Sequence, residues 1–239
     1  MTHDQRIAVV TGGSRGIGRA IVESLLATDW TVFYCSLDPE SVAHSLSPLQ
    51  QQFPDRVSAR ACNMGEQAEV DRFISWVEAE AGRIDCLVNN AGIGLFKPVD
   101  QIEGEEWRNL MRTNLDGVFY AIRAVAPLMK AQGSGWIFNI ASLAGRNPIP
   151  KGAAYNASKF GLMGLSEASM LDLRSFGVRV VSILPGSVDT EFSLPSSTAG
   201  SDWKLAPEDV ARAVMDLLEY PARALPSSIE IRPSRPPGA

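Results

Sequence analysis

Ile7-Ala8-Val9-Val10-Thr11-Gly12-Gly13-Ser14-Arg15-Gly16-Ile17-Gly18 is the stretch that decides the fold. Its apolar start, Ile7–Val10, has no polar alternation, which describes a strand covered on both faces, as in a parallel sheet between helices. A glycine-rich turn follows, and from Ile17 the apolar spacing becomes helical. Strand, turn and helix in that order bring unpaired N–H groups and the positive end of a helix dipole to one point, which suits a pyrophosphate. Glycines let the backbone turn sharply and approach such an anion closely. Gly12, Ser14, Arg15, Gly16, Ile17 and Gly18 are the candidate contacts. The spacing is Gly-x-x-x-Gly-x-Gly rather than the Gly-x-Gly-x-x-Gly dinucleotide fingerprint, so the turn alone leaves its ligand open.

The same residues also satisfy Gly-x-Ser-x-Gly, the turn that presents a hydrolase serine. A hydrolase needs an acid and a histidine further along. The only later histidine is His44, ahead of most of the sheet, and the hydrolase reading fails there.

Outward from this turn, strand-length apolar runs alternate with helical segments along the whole chain. The predicted strands are Arg6–Val10, Thr31–Cys35, Val57–Ala61, Ile84–Val88, Gly135–Ile140, Val178–Leu184 and Ser228–Ile231. Helices are expected at Ile17–Ala27, Pro39–Gln52, Gln67–Ala81, Glu105–Ala131, Ala153–Phe176 and Pro207–Leu218. Gly82 and Gly177 sit where helices stop, and Pro207 sits where one starts. The expectation is an α/β fold: a Rossmann-type, doubly wound parallel sheet of about seven strands with helices on both faces, in one domain over 1–239. The segment 187–205, rich in Ser, Pro, Gly and Thr, is a candidate substrate flap, and 233–239 reads as a disordered tail.

Composition narrows the function. The chain has 239 residues, 22 basic and 27 acidic, for a net charge of −5 and no basic run, which argues against nucleic acid as a partner. No stretch approaches the ~20 apolar residues of a membrane span, and the polar start lacks the pattern of a signal peptide. A cytoplasmic protein is expected. The three cysteines, Cys35, Cys62 and Cys86, lie in or beside apolar strands, where thiols act as small hydrophobes. The histidines His3 and His44 have no ligand spacing, and no metal site is expected.

Chemistry concentrates later. Tyr155 and Lys159 are one helical turn apart in Tyr155-Asn156-Ala157-Ser158-Lys159 and share a face. An ammonium beside a phenol lowers its pKa and prepares it to pass a proton. Asn156-Ala157-Ser158 is also a glycosylation sequon, which inside this helix reads as chance. The fifth strand ends in Asn139-Ile140-Ala141-Ser142 and the fourth in Asn89-Asn90-Ala91-Gly92. Taken in order, the glycine turn, Asn-Asn-Ala-Gly, Ser142 and Tyr-x-x-x-Lys resemble the short-chain dehydrogenase/reductase family over nearly the whole chain.

That resemblance implies an oxidoreductase moving hydride between a nicotinamide and a carbonyl or secondary alcohol. It assigns Tyr155 as general acid/base, Lys159 as its partner and the anchor of the nicotinamide ribose, and Ser142 as the group that holds the substrate oxygen. Asn114 matches an asparagine that sustains a water-mediated proton path to the lysine. Further cofactor contacts are implied at Ser36, Asn63, Met64, Asn90, Ala91 and Gly92, and at Pro185, Gly186, Val188 and Thr190 after the sixth strand.

Ser36 occupies the position that selects the cofactor and cannot repel a 2′-phosphate, and Arg15 offers a cation; Leu37 and Asp38 pull the other way. The balance favours NADP(H) over NAD(H). The substrate walls are expected from Ile93–Phe96, Leu143–Asn147, Lys151–Gly152 and the flap, with Phe192, Leu194 and Trp203. The front of the chain resembles 3-oxoacyl-carrier-protein reductases. Its ending, Ile229-Glu230-Ile231-Arg232-Pro233, is more similar to members acting on small hydroxy acids, aldehydes or diketones. Arg146 and Lys151 are candidates to attract an anionic substrate. A homodimer or homotetramer is implied. The competing reading is a catalytically silent dinucleotide-binding regulator or scaffold.

Overall fold

The computed structural model describes residues 5–192 and 202–235. The strands are β1 (Arg6–Thr11), β2 (Trp30–Ser36), β3 (Val57–Ala61), β4 (Cys86–Asn89), β5 (Gly135–Ile140), β6 (Val178–Pro185) and β7 (Ser228–Ile231). All seven form one sheet in the order β3-β2-β1-β4-β5-β6-β7, every neighbouring pair parallel. The winding reverses between β1 and β4, and ligands bind at such a reversal beyond the carboxyl ends of the strands.

The unbroken apolar run of β1 is explained by its two faces. Ile7 and Val9 enter the core under α3 (Gln67–Ala81) and, further along the chain, α5 (Gly117–Gln132) and α6 (Ala153–Leu173). Ala8 and Val10 enter the core under α1 (Gly16–Leu26), α2 (Pro39–Gln52) and, near the end, α7 (Pro207–Leu218). Two faces leave no position for a polar residue.

Three expectations are corrected. β4 starts at Cys86 rather than Ile84, because the Gln132 side-chain amide takes both the N–H (3.1 Å) and the C=O (2.9 Å) of Ile84. The helix expected over Glu105–Ala131 is three pieces: α4 (Gly104–Met111), a π-helical turn (Arg112–Asp116) and α5 (Gly117–Gln132). The wide turn inserts Asn114 into the protein while Leu110 and Val118 on either side stay buried. Gly117 permits it, since a Cβ there would lie 2.5 Å from the Met64 carbonyl oxygen. The segment Ala153–Phe176 divides into α6 (Ala153–Leu173) and a 3₁₀ turn (Arg174–Phe176) ending on Gly177 at φ +76°.

Of the expected flap, residues 193–201 lie outside the described residues, as does Leu194 with them. Its two described ends are tied together: Asp189 N–H donates to Leu205 C=O (2.8 Å) and Leu205 N–H to Ser187 C=O (2.9 Å). Of the tail, 236–239 lies outside the described residues; Arg232 is ion-paired with Glu230. Among the described residues no helix is long and apolar enough to cross a membrane, and no His, Cys, Asp and Glu cluster could hold a metal ion.

Candidate active site

A cleft of about 1150 Å³ runs along the carboxyl ends of the strands, from the glycine turn to α6. That exceeds the space most small ligands need and accommodates a dinucleotide with a substrate.

At one end the glycine turn is shaped by close packing. A Cβ on Gly18 would meet the Gly12 carbonyl oxygen at 2.1 Å, and one on Gly13 would meet Tyr34 at 2.7 Å. Gly12 and Gly16 have φ of +67° and +54°, where side chains are strained. Asn90 locks the turn to β4, its amide donating to the carbonyls of Thr11 (3.0 Å) and Gly12 (3.1 Å). Thr11 returns the link, its hydroxyl accepting from Asn90 N–H and Ala91 N–H, both at 3.0 Å. α1 then starts with no side-chain cap and no acid in its first turn, so its leading N–H groups lack a side-chain partner. A turn that no side chain can fill and an uncapped helix end fit the pyrophosphate of a dinucleotide.

At the end of β2, the Ser36 hydroxyl donates to the Ser14 hydroxyl (2.8 Å) and accepts from Ser14 N–H (3.2 Å). The Asp38 carboxylate, which counted against a phosphate, caps α2 by accepting from Ser41 N–H (2.9 Å) and the Ser41 hydroxyl. Arg15 reaches across to Glu191 at 2.7 Å, both side chains largely exposed.

At the other end, Tyr155 lies in the first turn of α6 and Lys159 one turn on, both buried. Burial raises the Tyr155 phenol above its ordinary range, and a hydrogen bond with Ser142 offsets part of this. Ser142 starts the 3₁₀ turn after β5, its hydroxyl accepting from Ala144 N–H (3.1 Å). Lys159 Nζ donates to the Ile140 carbonyl (2.9 Å) and stands 5.8 Å from the centre of the Tyr155 ring. Burial pushes its ammonium down to about 8. The expected lowering of the phenol pKa by Lys159 is thus not what sets it in the protein alone; burial and Ser142 do. A phenol kept protonated at neutral pH is an acid, ready to donate.

Asn114 holds Ile93 by both backbone groups, accepting from its N–H (2.8 Å) and donating to its C=O (2.9 Å). Its second amide hydrogen goes to the Ser158 hydroxyl (3.1 Å), which itself donates to the Tyr155 carbonyl (2.8 Å). With both N–H bonds engaged, the Asn114 side chain ties Ile93 to Ser158 and so to the start of α6.

The expected contacts Gly12, Ser14, Arg15, Gly16, Ile17, Ser36, Asn63, Met64, Asn90, Ala91, Gly92, Pro185, Gly186, Val188 and Thr190 all line the cleft, with Ser142, Tyr155 and Lys159. Gly18 and Asn114 do not: Gly18 packs behind the turn and Asn114 behind Ile93. Among the substrate-wall residues, Ile93, Phe96, Leu143, Ala144 and Phe192 line it; Arg146, Asn147, Lys151, Gly152 and Trp203 do not. Arg146 is tied to β7, donating to Glu230 and the Ser228 hydroxyl, both at 2.9 Å.

Sequence reasoning missed Asn156. Its amide donates to the carbonyls of Ala144 (2.6 Å) and Asn147 (3.1 Å) and its Oδ1 accepts from Ile149 N–H (3.0 Å). It thereby fixes the loop that follows Ser142. An asparagine directly after a catalytic-type tyrosine in a helix is the only signal the sequence offers; its burial and partners are set by the fold.

Comparisons with known proteins agree with this geometry. Residues 6–199 match the family model for short chain dehydrogenase. An uncharacterized oxidoreductase of Staphylococcus saprophyticus is 33% identical, over 95% of this chain and 97% of its own length. A 3alpha-hydroxysteroid dehydrogenase of Mediterraneibacter gnavus is 31% identical over 89% of each chain. Among solved structures, a metagenomic short-chain oxidoreductase in complex with NADP superposes with a TM-score of 0.84 at 35% identity, covering 97% of this chain and 98% of that one. An alcohol dehydrogenase from the archaeon Thermococcus sibiricus, complexed with 5-hydroxy-NADP, gives 0.89 at 27% identity, covering 98% and 99%. The chain therefore belongs to the short-chain dehydrogenase family and is an oxidoreductase of the CH–OH/C=O class working with NAD(P).

Proposed function

We propose that this chain is an NADP(H)-dependent carbonyl reductase in which Tyr155 is the proton donor. The observation that carries the reading is the buried, protonated Tyr155 phenol hydrogen-bonded to Ser142 inside a cleft that continues to the glycine turn. A nicotinamide held in this cleft would supply hydride chemistry at the carbonyl carbon, with the reverse transfer from the alcohol carbon. Ser142 and Tyr155 hold the carbonyl oxygen, and as negative charge grows there the Tyr155 O–H bond breaks and its proton forms the alcohol O–H. Lys159, charged and buried, stabilises the tyrosinate left behind and would offer its remaining N–H bonds to the ribose of a bound cofactor. Asn114 acts from behind, holding Ile93 and, through Ser158, the first turn of α6.

Preference for NADP(H) is supported by the end of β2. Ser36 offers a hydroxyl, Asp38 is turned into its helix cap, and Arg15 is exposed. Its pair with Glu191 is a surface pair, worth at most about 1 kcal/mol, which a phosphate dianion displaces. Two of the similar structures carry NADP or a derivative of it. The chain works in the cytoplasm, where its three cysteines stay reduced; all are free and buried. It assembles as a homodimer or homotetramer through α5 and α6, whose Phe119, Phe160 and Leu171 are exposed.

The test is a titration with NADPH and NADH, followed by carbonyls assayed as loss of nicotinamide absorbance. Tighter binding of NADPH with turnover is the expected result. Equal affinity refutes the cofactor preference, and binding without turnover of any carbonyl refutes the reductase.

A further inference from the structure

The far end of the cleft is aromatic. Phe96 and Phe192 flank the Tyr155 ring at centroid distances of 5.3 and 5.9 Å, each tilted 52° to it. Both converge on Gly94, where a Cβ would lie 2.8 Å from Phe96 and 3.4 Å from Phe192. Ile93, Leu143 and Ile149 complete the wall. Phe192 and Ile149 remain 44% and 40% exposed, a large apolar surface left open beside the reacting phenol.

Charge at this end is arranged against an anionic substrate. Among the described residues, the cations lining the cleft are Arg15, at the cofactor turn, and Lys159. Asp189 is paired with Lys204, and Glu191, paired with Arg15 until a cofactor phosphate takes that cation, carries the same sign as an entering anion. Lys97 and Arg146, close by in sequence, are paired with Glu106 and Glu230. A carboxylate or phosphate entering here finds as cation only Lys159, buried and held on the Ile140 carbonyl, and loses its hydration. A flat hydrocarbon ring finds three faces to pack against.

Resting on the reductase reading, we infer that the substrate is an uncharged ketone bearing an aromatic ring one carbon away from the carbonyl, selected by Phe96 and Phe192 around Gly94. Keto acids and carrier-protein thioesters are excluded as good substrates.

Phenylacetone and acetoacetate test this, because they differ only in a phenyl group in place of a carboxylate. With saturating NADPH, kcat/KM for phenylacetone is expected to exceed that for acetoacetate at least tenfold. Phe192→Ala lowers the phenylacetone value about tenfold, mainly through KM, as expected for loss of one ring contact and its buried area. Phe192→Tyr restores it, and the NADPH Kd stays within about twofold, showing that the fold is intact. Acetoacetate turned over as well as phenylacetone, or a Phe192→Ala variant with an unchanged phenylacetone KM, overturns the inference and leaves the reductase standing. So does turnover of propanal with neither ketone reduced. Failure to reduce all three compounds overturns the reductase reading and the inference with it.

Discussion

Replacing Lys159 by methionine separates stability from activity, because the native site holds an ammonium at a cost. The side chain is buried and its pKa falls from 10.5 to about 8. At about 1.36 kcal/mol per unit, holding the charged form in the fold costs about 3 kcal/mol near neutral pH. Methionine fills similar space without charge but leaves the Ile140 carbonyl without the partner it has at 2.9 Å, a loss of about 1 kcal/mol. The variant is therefore expected to be more stable by about 2 kcal/mol near pH 7 and to lose turnover by about 100-fold or more. The pH dependence gives a second check. A lysine whose folded pKa is depressed destabilises the fold while both states are protonated. That cost is relieved as pH rises through the folded value of about 8 toward the unfolded 10.5, because the unfolded chain then binds the extra proton. Between pH ~7 and ~9.5 the wild type should gain about 2 kcal/mol relative to the variant, so the two converge. Urea unfolding of both proteins at the two pH values measures this. A variant less stable at neutral pH, or a stability difference that does not change with pH, would refute the argument that Lys159 is held charged against its burial.

Other residues lead to equally direct outcomes. Arg15→Ala weakens NADPH binding much more than NADH binding, whereas Glu191→Gln, by freeing Arg15, tightens NADPH about two- to fivefold, the range of a surface ion pair; equal effects on both cofactors would show that Arg15 only shapes the turn. Gly18→Ala pushes a methyl into the Gly12 carbonyl oxygen and should cost about 1–3 kcal/mol and nearly all dinucleotide affinity; unchanged binding would remove the close-packing account. Asn156→Ala leaves two carbonyls and one N–H without their partners and should cost about 3 kcal/mol, at roughly 1 per bond, while raising KM. An Asn156→Ala protein of wild-type stability and KM would mean that the loop after Ser142 is held by something else.

How much of this was legible in the sequence follows from the range of the interactions. β1 and its turn could be read because burial on both faces and close packing at Gly12 and Gly18 act within a few residues. Tyr155 and Lys159 could be paired because a helix places them on one face. The π turn at Asn114 could not: one extra residue disturbs a 3.6-residue period too little to detect, and its cause, the contact with Ile93, lies 21 residues away. Asn156 was read as a chance sequon because its partners belong to a loop whose path local pattern does not reveal. Arg15 was read as a free cation and Arg146 as a mouth residue, yet their partners Glu191 and Glu230 stand 176 and 84 positions along the chain. The depth of Lys159 was equally hidden, since a lysine one turn from a tyrosine reads as a surface pair until α6 is seen against β5.

The most direct test of the central claim is Tyr155→Phe, which removes one oxygen from a buried ring and alters nothing else in the cleft. Measured with NADPH and a reducible ketone, turnover is expected to fall by at least about 100-fold, the scale of a lost general acid, with the NADPH Kd within about twofold of wild type. Retained turnover would contradict the account, because the proton would then come from a group other than Tyr155.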